Sequence, residues 1–455
     1  MAVLTTIFYF VLVLGILVLV HEFGHFIAAK LTGMRAEVFS IGMGPRLIGY
    51  HKRLGITFGK LPANFVFDDN TEYRLSLLPI GGYVKISGMI DESMDKDFIN
   101  KEPQPFEFRS KKAWQKFLVL SAGVIMNFIL AIIIFAFIAF TNGQSLLKTT
   151  TIGYISPESI AEKIGLQPGD KIIKINNIET KSWNDVIENL TFKKMGKKKD
   201  IILIRNSKQL QLSADGSQII RTLADKKPLG LEPDGIRVYF QMVETLKPAG
   251  KAGFMKGDTV LTVDSINIVG TSQFSNYIQN HKEKQITIKI ARKDTNLTIA
   301  VTPNSDGKIG VMLASAIVGK IEHINYNIFQ SIYVGFQETI NAVGLFIGSI
   351  AQIFNGTLSF KESVGGPVMI AQQASQQAEM GLASFLNFIA LLSVTLAVIN
   401  ILPLPALDGG HLVFVIIEAI IKREVSPKVK IAIQQAGVVL LLMLMVFVIY
   451  NDFTR

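Results

Sequence analysis

The chain has 455 residues, 49% of them hydrophobic and only 18% charged, with a mean hydropathy of +0.37. An average soluble protein carries about 25% charged residues, so an ordinary cytosolic domain and a globally disordered chain are both excluded. Cysteine is absent, which removes disulfide frameworks, thiolate metal sites and a cysteine nucleophile and leaves any metal to His, Asp and Glu.

Lys and Arg number 46 against 36 Asp and Glu, a net charge of +10. In so apolar a chain that excess reads first as membrane topology, and no nucleic-acid-binding signature accompanies it. Residues 2–20 carry no charge. At 1.5 Å per residue such a stretch crosses a hydrocarbon core of roughly 30 Å. A cleaved signal peptide would need a basic start and a small-x-small site before His21; neither is present, so an uncleaved helix is expected.

That helix leads into His21-Glu22-Phe23-Gly24-His25. Residues i and i+4 share one helix face. His21 and His25 can therefore hold one zinc ion, with Glu22 beside them to take a proton from the bound water. The competing reading is a snorkelling cluster at the interface. Ionisable groups at a membrane-helix end are costly and usually functional, which favours the metal.

A β-rich stretch follows. Tyr73, Leu75 and Leu77 alternate, Pro79 with Gly81 and Gly82 supplies a bend, and Phe39 to Gly44 reads as a further strand. A small cytosolic β domain is the plainer alternative. Further apolar runs cover residues 117–140, 385–402 and 436–450, the last two short enough to need tilt or local thinning. Four spans put both termini on one side. Residues 30–112 hold 13 Lys and Arg, so the positive-inside rule places that segment in the cytoplasm and the termini and residues 141–382 outside. Residues 328–354 offer a further span, but they contain Gln and Glu, so an interfacial helix is the expectation.

The exported segment repeats itself. Ala161 to Asp170 reads A-E-K-I-G-L-Q-P-G-D and is followed by Ile172, Ile173 and Ile175. Ala249 to Asp258 reads A-G-K-A-G-F-M-K-G-D and is followed by Val260, Leu261 and Val263, with Gly165 and Gly253 88 residues apart. Each copy reads as a short helix ended by glycine, a turn and a strand. The pattern resembles the PDZ domain, and two copies imply a tandem pair able to bind extended peptides by strand addition. A generic β-rich exported domain is the alternative.

Asn400-Ile-Leu-Pro403-Leu-Pro405-Ala-Leu-Asp408-Gly409-Gly410 offers a third metal ligand. The prolines break the third helix, and the glycines are expected to let the backbone turn tightly beside Asp408. Spans one and three both run from outside to inside, so His25 and Asp408 reach the same face. His411 is a weaker rival ligand. His51, His281 and His323 read as ordinary loop or exported-domain residues.

H-E-F-G-H on a first transmembrane helix, N-x-x-P-x-P-x-L-D-G-G on a later one and PDZ modules between them resemble the site-2 protease family over essentially the whole chain. The resemblance implies an intramembrane zinc metalloprotease with Zn2+ on His21, His25 and Asp408, Glu22 as catalytic base and Asn400 holding the substrate strand. It implies a membrane-entering hairpin, which would bring Tyr73, Leu75 and Leu77 to the substrate. Residues 49–70 are longer than the family's compact hairpin, and Gly365-Gly366-Pro367 resembles an element that precedes the third span. Expected partners are the bilayer and type II single-pass proteins trimmed beforehand, cut by a monomer in a bacterial inner membrane. A non-catalytic PDZ scaffold would not need Glu22, and a metal transporter would need polar residues along several spans.

The expected architecture is a polytopic α-helical membrane protein: four transmembrane helices, a membrane-associated β-hairpin and two extracytoplasmic PDZ-like α+β domains. Its boundaries are helix one at 1–30, the β region at 31–112, helix two at 113–141 and PDZ-like domains at 142–230 and 231–315. An amphipathic helical region at 316–382, helix three at 383–403, the L-D-G-G loop with a short helix at 404–432 and helix four at 433–455 complete it.

Overall fold

The structure, a computed structural model, describes residues 2–62, 65–89, 102–225, 227–293 and 295–454. Two compact units emerge. The first comprises Met1–Asn142, Tyr326–Ile347 and Val364–Arg455, the second Gly143–Asn325 and Gly348–Ser363.

Helix α1 (Ala2–Leu31) contains the H-E-F-G-H segment well inside it and continues for another turn and a half. Strands β1 (Ala36–His51), β2 (Gly55–Phe58) and β3 (Glu72–Ile86) form one sheet, and helix α2 (Ala113–Asn142) follows. Both long strands fold back on themselves. Residues 38–41 of β1 pair with 72–75 and also with 82–85 of β3, while 46–50 pair with 73–76. The reversal in β1 uses Gly42 at φ 84°, where a Cβ would sit 2.5 Å from the Leu78 carbonyl oxygen. Residues 72–76 thus lie inside the sheet. Residues 82–86 lie at its margin, with 36–41 as their ladder partner among the described residues.

The second unit opens with β4 (Gln144–Leu147). Its first module contains β5 (Ile152–Ile155), α3 (Ile160–Lys163), β6 (Lys171–Ile175), β7 (Ile178–Glu179), α4 (Trp183–Thr191), β8 (Lys199–Arg205), β9 (Lys208–Ala214), α5 (Gly216–Ala224) and β10 (Leu231–Pro233). The second contains β11 (Ile236–Val243), α6 (Pro248–Ala252), β12 (Thr259–Val263), β13 (Ile266–Asn267), α7 (Thr271–Asn280), β14 (Ile286–Arg292), β15 (Thr295–Val301) and β16 (Val311–Ile317). Strand β17 (Ile321–Ile324) then pairs back on β4.

The expected repeat is present: α3 and α6 are each followed by a glycine at positive φ, Gly165 at 89° and Gly253 at 92°. The motif aspartates are clamped identically. Arg205 and Arg292 each form a two-pronged pair, with Asp170 and Asp258, at 2.6–2.7 Å, and each also donates to the motif glycine's carbonyl. Strand β10 pairs with β5 of the first module, so the modules divide near residue 234 rather than at 230, and β4 with β17 stands outside both, apart from the expected domain at 142–230 and helical region at 316–382.

Helices α8 (Ile328–Phe354), α9 (Phe360–Ser363), α10 (Pro367–Glu379), α11 (Leu382–Ile401), α12 (Asp408–Ile421) and α13 (Pro427–Thr454) complete the chain. Among the described residues five helices are long and apolar enough to cross a membrane. They are the four expected ones and α8, the least apolar of the five. Helix α13 is not short: polar residues at its ends extend it to 28 residues. The core of the first unit joins Val13 and Leu17 of α1, Ala131 and Phe135 of α2, and Ile389 and Val394 of α11. Helices α1 and α2 approach so closely that a Cβ on Gly24 would lie 2.4 Å from the Ala122 carbonyl oxygen, the small-residue contact that membrane helices favour.

The Gly365-Gly366-Pro367 element acquires a physical role. It starts α10, whose free N–H groups at Gly366, Val368 and Met369 donate to the Asp452 carboxylate of α13 at 2.9–3.2 Å. A side chain at Gly366 would collide with that carboxylate. An anion at a helix N-terminus satisfies orphan donors and the helix dipole together.

Candidate metal centre

His21 and His25 lie one turn apart on α1 and face α2 and the start of α12. His21 Nε2 is 3.2 Å from His25 Nε2, and Asp408 Oδ2 is 3.1 and 3.4 Å from them. Among the described residues these three side chains form a group able to hold a metal ion. Asp408 Oδ2 is buried and no hydrogen bond completes it. A tetrahedral zinc site with bonds of about 2.0–2.1 Å has ligand-to-ligand edges of about 3.3–3.4 Å. The observed triangle matches one face of that tetrahedron, so the donor set fits zinc.

Both rings are held from behind by α2. His25 Nδ1 donates to the Val119 carbonyl at 2.8 Å. The Asn127 carboxamide lies 3.2 Å from His21 Nδ1, its Oδ1 is buried without a partner, and its backbone carbonyl accepts from Ser393 of α11. Turning that carboxamide over pairs Oδ1 with an Nδ1–H, the proton position required when Nε2 carries the metal. Gly123 leaves the space in which the two rings stand, since a Cβ there would lie 2.5–2.7 Å from His25 Nε2 and His21 Nε2.

Asp408 is placed by a sharp change of direction. Helix α11 stops at Ile401, Ala406 takes a positive φ of 70°, and Asp408 opens α12. The glycines beside it act differently from the expected turn. Gly409 and Gly410 are helical, and a Cβ on either would lie 2.2–2.4 Å from the Leu402 or Leu404 carbonyl oxygen. They are needed because α12 lies directly on the 401–405 backbone.

Glu22 is buried and lines a cavity of about 380 Å3 with His25, Val84, Ile86, Asp408 and His411. Asn400 Nδ2 is 3.5 Å from His21 Nε2, so the asparagine belongs to the centre. His411 lies outside the triangle; its Nε2 is 2.7 Å from Gln434 Nε2 of α13. Tyr73, Leu75 and Leu77 form a strand as expected, but the structure does not bring them to the metal centre. They are half-exposed, Tyr73 and Leu75 on the inner segment of β3 and Leu77 just beyond it, and Tyr73 packs on Phe26 and Phe39. Val84 and Ile86 of the marginal segment reach the cavity instead. Asn127, Val119 and Gly123 escape the motif reading. Asn127 was findable as the one amide side chain in the apolar run of residues 117–140.

The sequence profile of Peptidase family M50 matches residues 9–444. The regulator of sigma-E protease RseP of Salmonella typhimurium is 32% identical, and that of Escherichia coli 31%, each over 98% of both chains. A Vibrio cholerae protein carrying a zinc metalloprotease name is 32% identical over the same share. Among solved structures, the PDZ domain of an SdrC-like protein from Listeria monocytogenes matches 17% of this chain and 85% of its own, at 22% identity and a TM-score of 0.16. A full-length match to the profile and to relatives above 30% identity, over a chain that assembles a His-His-Asp centre, shows that the protein belongs to peptidase family M50, the site-2 proteases, and is a metalloprotease.

Proposed function

We propose that this metalloprotease is a zinc-dependent endopeptidase that hydrolyses peptide bonds within the transmembrane segments of single-pass membrane proteins. The observation that carries the reading is the triangle of His21, His25 and Asp408 donor atoms, with Glu22 in the wall of the adjoining cavity. Zinc held there would lower the pKa of a water molecule to about 7 and polarise the scissile carbonyl. Glu22 accepts the proton of that water and passes it to the leaving amine. Val119 and Asn127 fix the rings, and Asn400 holds the substrate backbone.

A membrane helix conceals its carbonyls in i to i−4 hydrogen bonds, so the substrate must unwind before it is cut. The margin of the sheet at residues 82–86 is suited to receive the freed backbone by strand addition. Val84 and Ile86, in the cavity wall, then meet the substrate side chains, the role expected of Tyr73, Leu75 and Leu77.

The names of the relatives support a regulatory protease, and the long apolar helices support a membrane location, which in this reading is a bacterial inner membrane. Its substrates in this reading are type II proteins whose exported domains have already been trimmed, such as anti-sigma factors or remnant signal peptides. The enzyme acts as a monomer with its termini and tandem PDZ-like modules outside and its metal centre toward the cytoplasm; α8 lies at the interface. Two modules of this size, each with a radius of gyration of about 13 Å, are bulky enough to screen the substrate entrance as a size gate. Glu22→Gln tests the chemistry: the variant should retain stoichiometric zinc and fold yet fail to cleave a model transmembrane substrate. Turnover at the wild-type rate would overturn the assignment of Glu22.

A further inference from the structure

Peptide hydrolysis consumes one water per bond, yet the cavity beside the metal triangle is walled mainly by Val, Ile, Leu and Met side chains. A second cavity of about 170 Å3 lies next to it and is of a different character. Arg109, Lys116, Glu418, Glu424 and Lys430 line it. Glu418 pairs with Lys430 at 2.6 Å and accepts from Val425 N–H at 2.8 Å. Charged groups in a membrane protein pair with one another or face a water-filled cavity, and this cavity gathers five of them.

Met89, His411 and Gln434 line both cavities. These three side chains are therefore part of the wall between a charged vestibule and the metal cavity. Two of them are polar and joined: Gln434 Nε2 donates to His411 Nε2 at 2.7 Å. That contact uses one ring nitrogen and one carboxamide atom, so each group keeps a second polar atom as a hydrogen-bonding surface for passing water. Gln434 is buried and its helix is fixed locally, because Gly437, one turn further along α13, rests on Pro405 with no space for a Cβ.

We propose that the His411–Gln434 pair, with Met89 as its apolar leaf, is the port through which water passes from the charged vestibule to the metal cavity. His411 and Gln434 are positioning residues here: they conduct and meter the water that Glu22 activates. The inference deepens the proteolytic reading and rests on it for the use to which the water is put. The passage itself is measurable without turnover.

The chain has no cysteine, so one introduced thiol is a unique reporter. Val438→Cys places it in the metal cavity, of which Val438 is a wall residue outside the vestibule, and Glu424→Cys places a control in the vestibule. Thiols react as thiolates and so need water. The full-length protein in detergent is treated with a charged methanethiosulfonate reagent and the labelling rate is read by mass. In the parent background both thiols should label. Gln434→Leu should slow labelling at 438 by about tenfold or more, a barrier of about 1.4 kcal/mol, and leave 424 unchanged. Met89→Ala, which widens the port and spares the polar pair, should speed labelling at 438. An unreactive thiol at 438, or rates there unaffected by both substitutions while 424 still labels, would overturn the port. Either result would leave the cleavage phenotype of Glu22→Gln untouched, so the two readings fail separately.

Discussion

Gly123→Ala offers the sharpest test of the candidate metal centre, because it adds one methyl group against the Nε2 atoms of the two proposed ligands, His21 and His25, and removes nothing. The added Cβ would lie 2.5 Å from His25 Nε2 and 2.6–2.7 Å from His21 Cε1 and Nε2. Carbon in ordinary contact sits about 3.5 Å or more away, so the rings must retreat by about 1 Å. Without metal they can do so, since both are side-chain ends, and the metal-free protein should fold. With metal they cannot, because ligand distances tolerate only about 0.2 Å. At least one imidazole is lost from the set. Removing an outer partner of a metal ligand already costs about 10–100-fold in affinity. Displacing a ligand should therefore weaken zinc binding by at least about 100-fold, or about 2.7 kcal/mol. Gly15→Ala, on the same α1 and with no atom within 4 Å of its Cβ, is the control and should bind zinc normally. The assay is competition for zinc against a chromogenic chelator, with circular dichroism to establish the fold. Zinc affinity for Gly123→Ala within about threefold of wild type, with native helicity, would refute the placement of His21 and His25.

Asp452→Ala should leave the α10 N–H groups at Gly366, Val368 and Met369 without their acceptor and cost about 1–2 kcal/mol. Hydrogen exchange of residues 366–370 should accelerate accordingly. Arg292→Met should strand the buried Asp258 carboxylate and destabilise the second module by about 3 kcal/mol, seen as earlier proteolysis within residues 236–317. Deleting residues 150–318 joins β4 to β17, whose ends already meet through Lys148 N–H to Lys320 O at 3.0 Å. That variant should cleave a substrate with an intact exported domain that the full chain refuses. A folded, zinc-loaded deletion that still refuses it would remove the gate.

Much of this was legible in the residues because the signals are local. An i, i+4 histidine pair fixes its own geometry on any helix, and two apolar spans of matched direction bring Asp408 to the same level without knowledge of packing. The repeated glycine-rich blocks likewise specify their turns within ten residues. The Arg205 and Arg292 clamps were not legible. Each joins residues 34 or 35 apart in sequence, and nothing local distinguishes those arginines from the other basic residues of the second unit.

Strand alternation carries a narrower kind of information. Tyr73, Leu75 and Leu77 alternate because one face of their strand is apolar, and the structure keeps that pattern. Alternation reports which face a side chain occupies; it says nothing about whether the strand is inner or marginal. That depends on the fold-back of β1 at Gly42 and of β3 near Gly81, which places 72–76 between two neighbours and 82–86 at the edge. Only the edge has backbone groups to offer a substrate. The glycines at 409 and 410 teach the same lesson from the other side. Their spacing suited a tight turn, but both lie within helix α12, and what they supply is the absence of a side chain where α12 crosses the 401–405 backbone. A glycine that turns the chain and a glycine that lets another segment approach are identical in sequence, and only the neighbour, here a carbonyl 2.2 Å from the missing Cβ, distinguishes them. The precision of the Asp408 carboxylate against the two imidazoles therefore depends on contacts made without side chains.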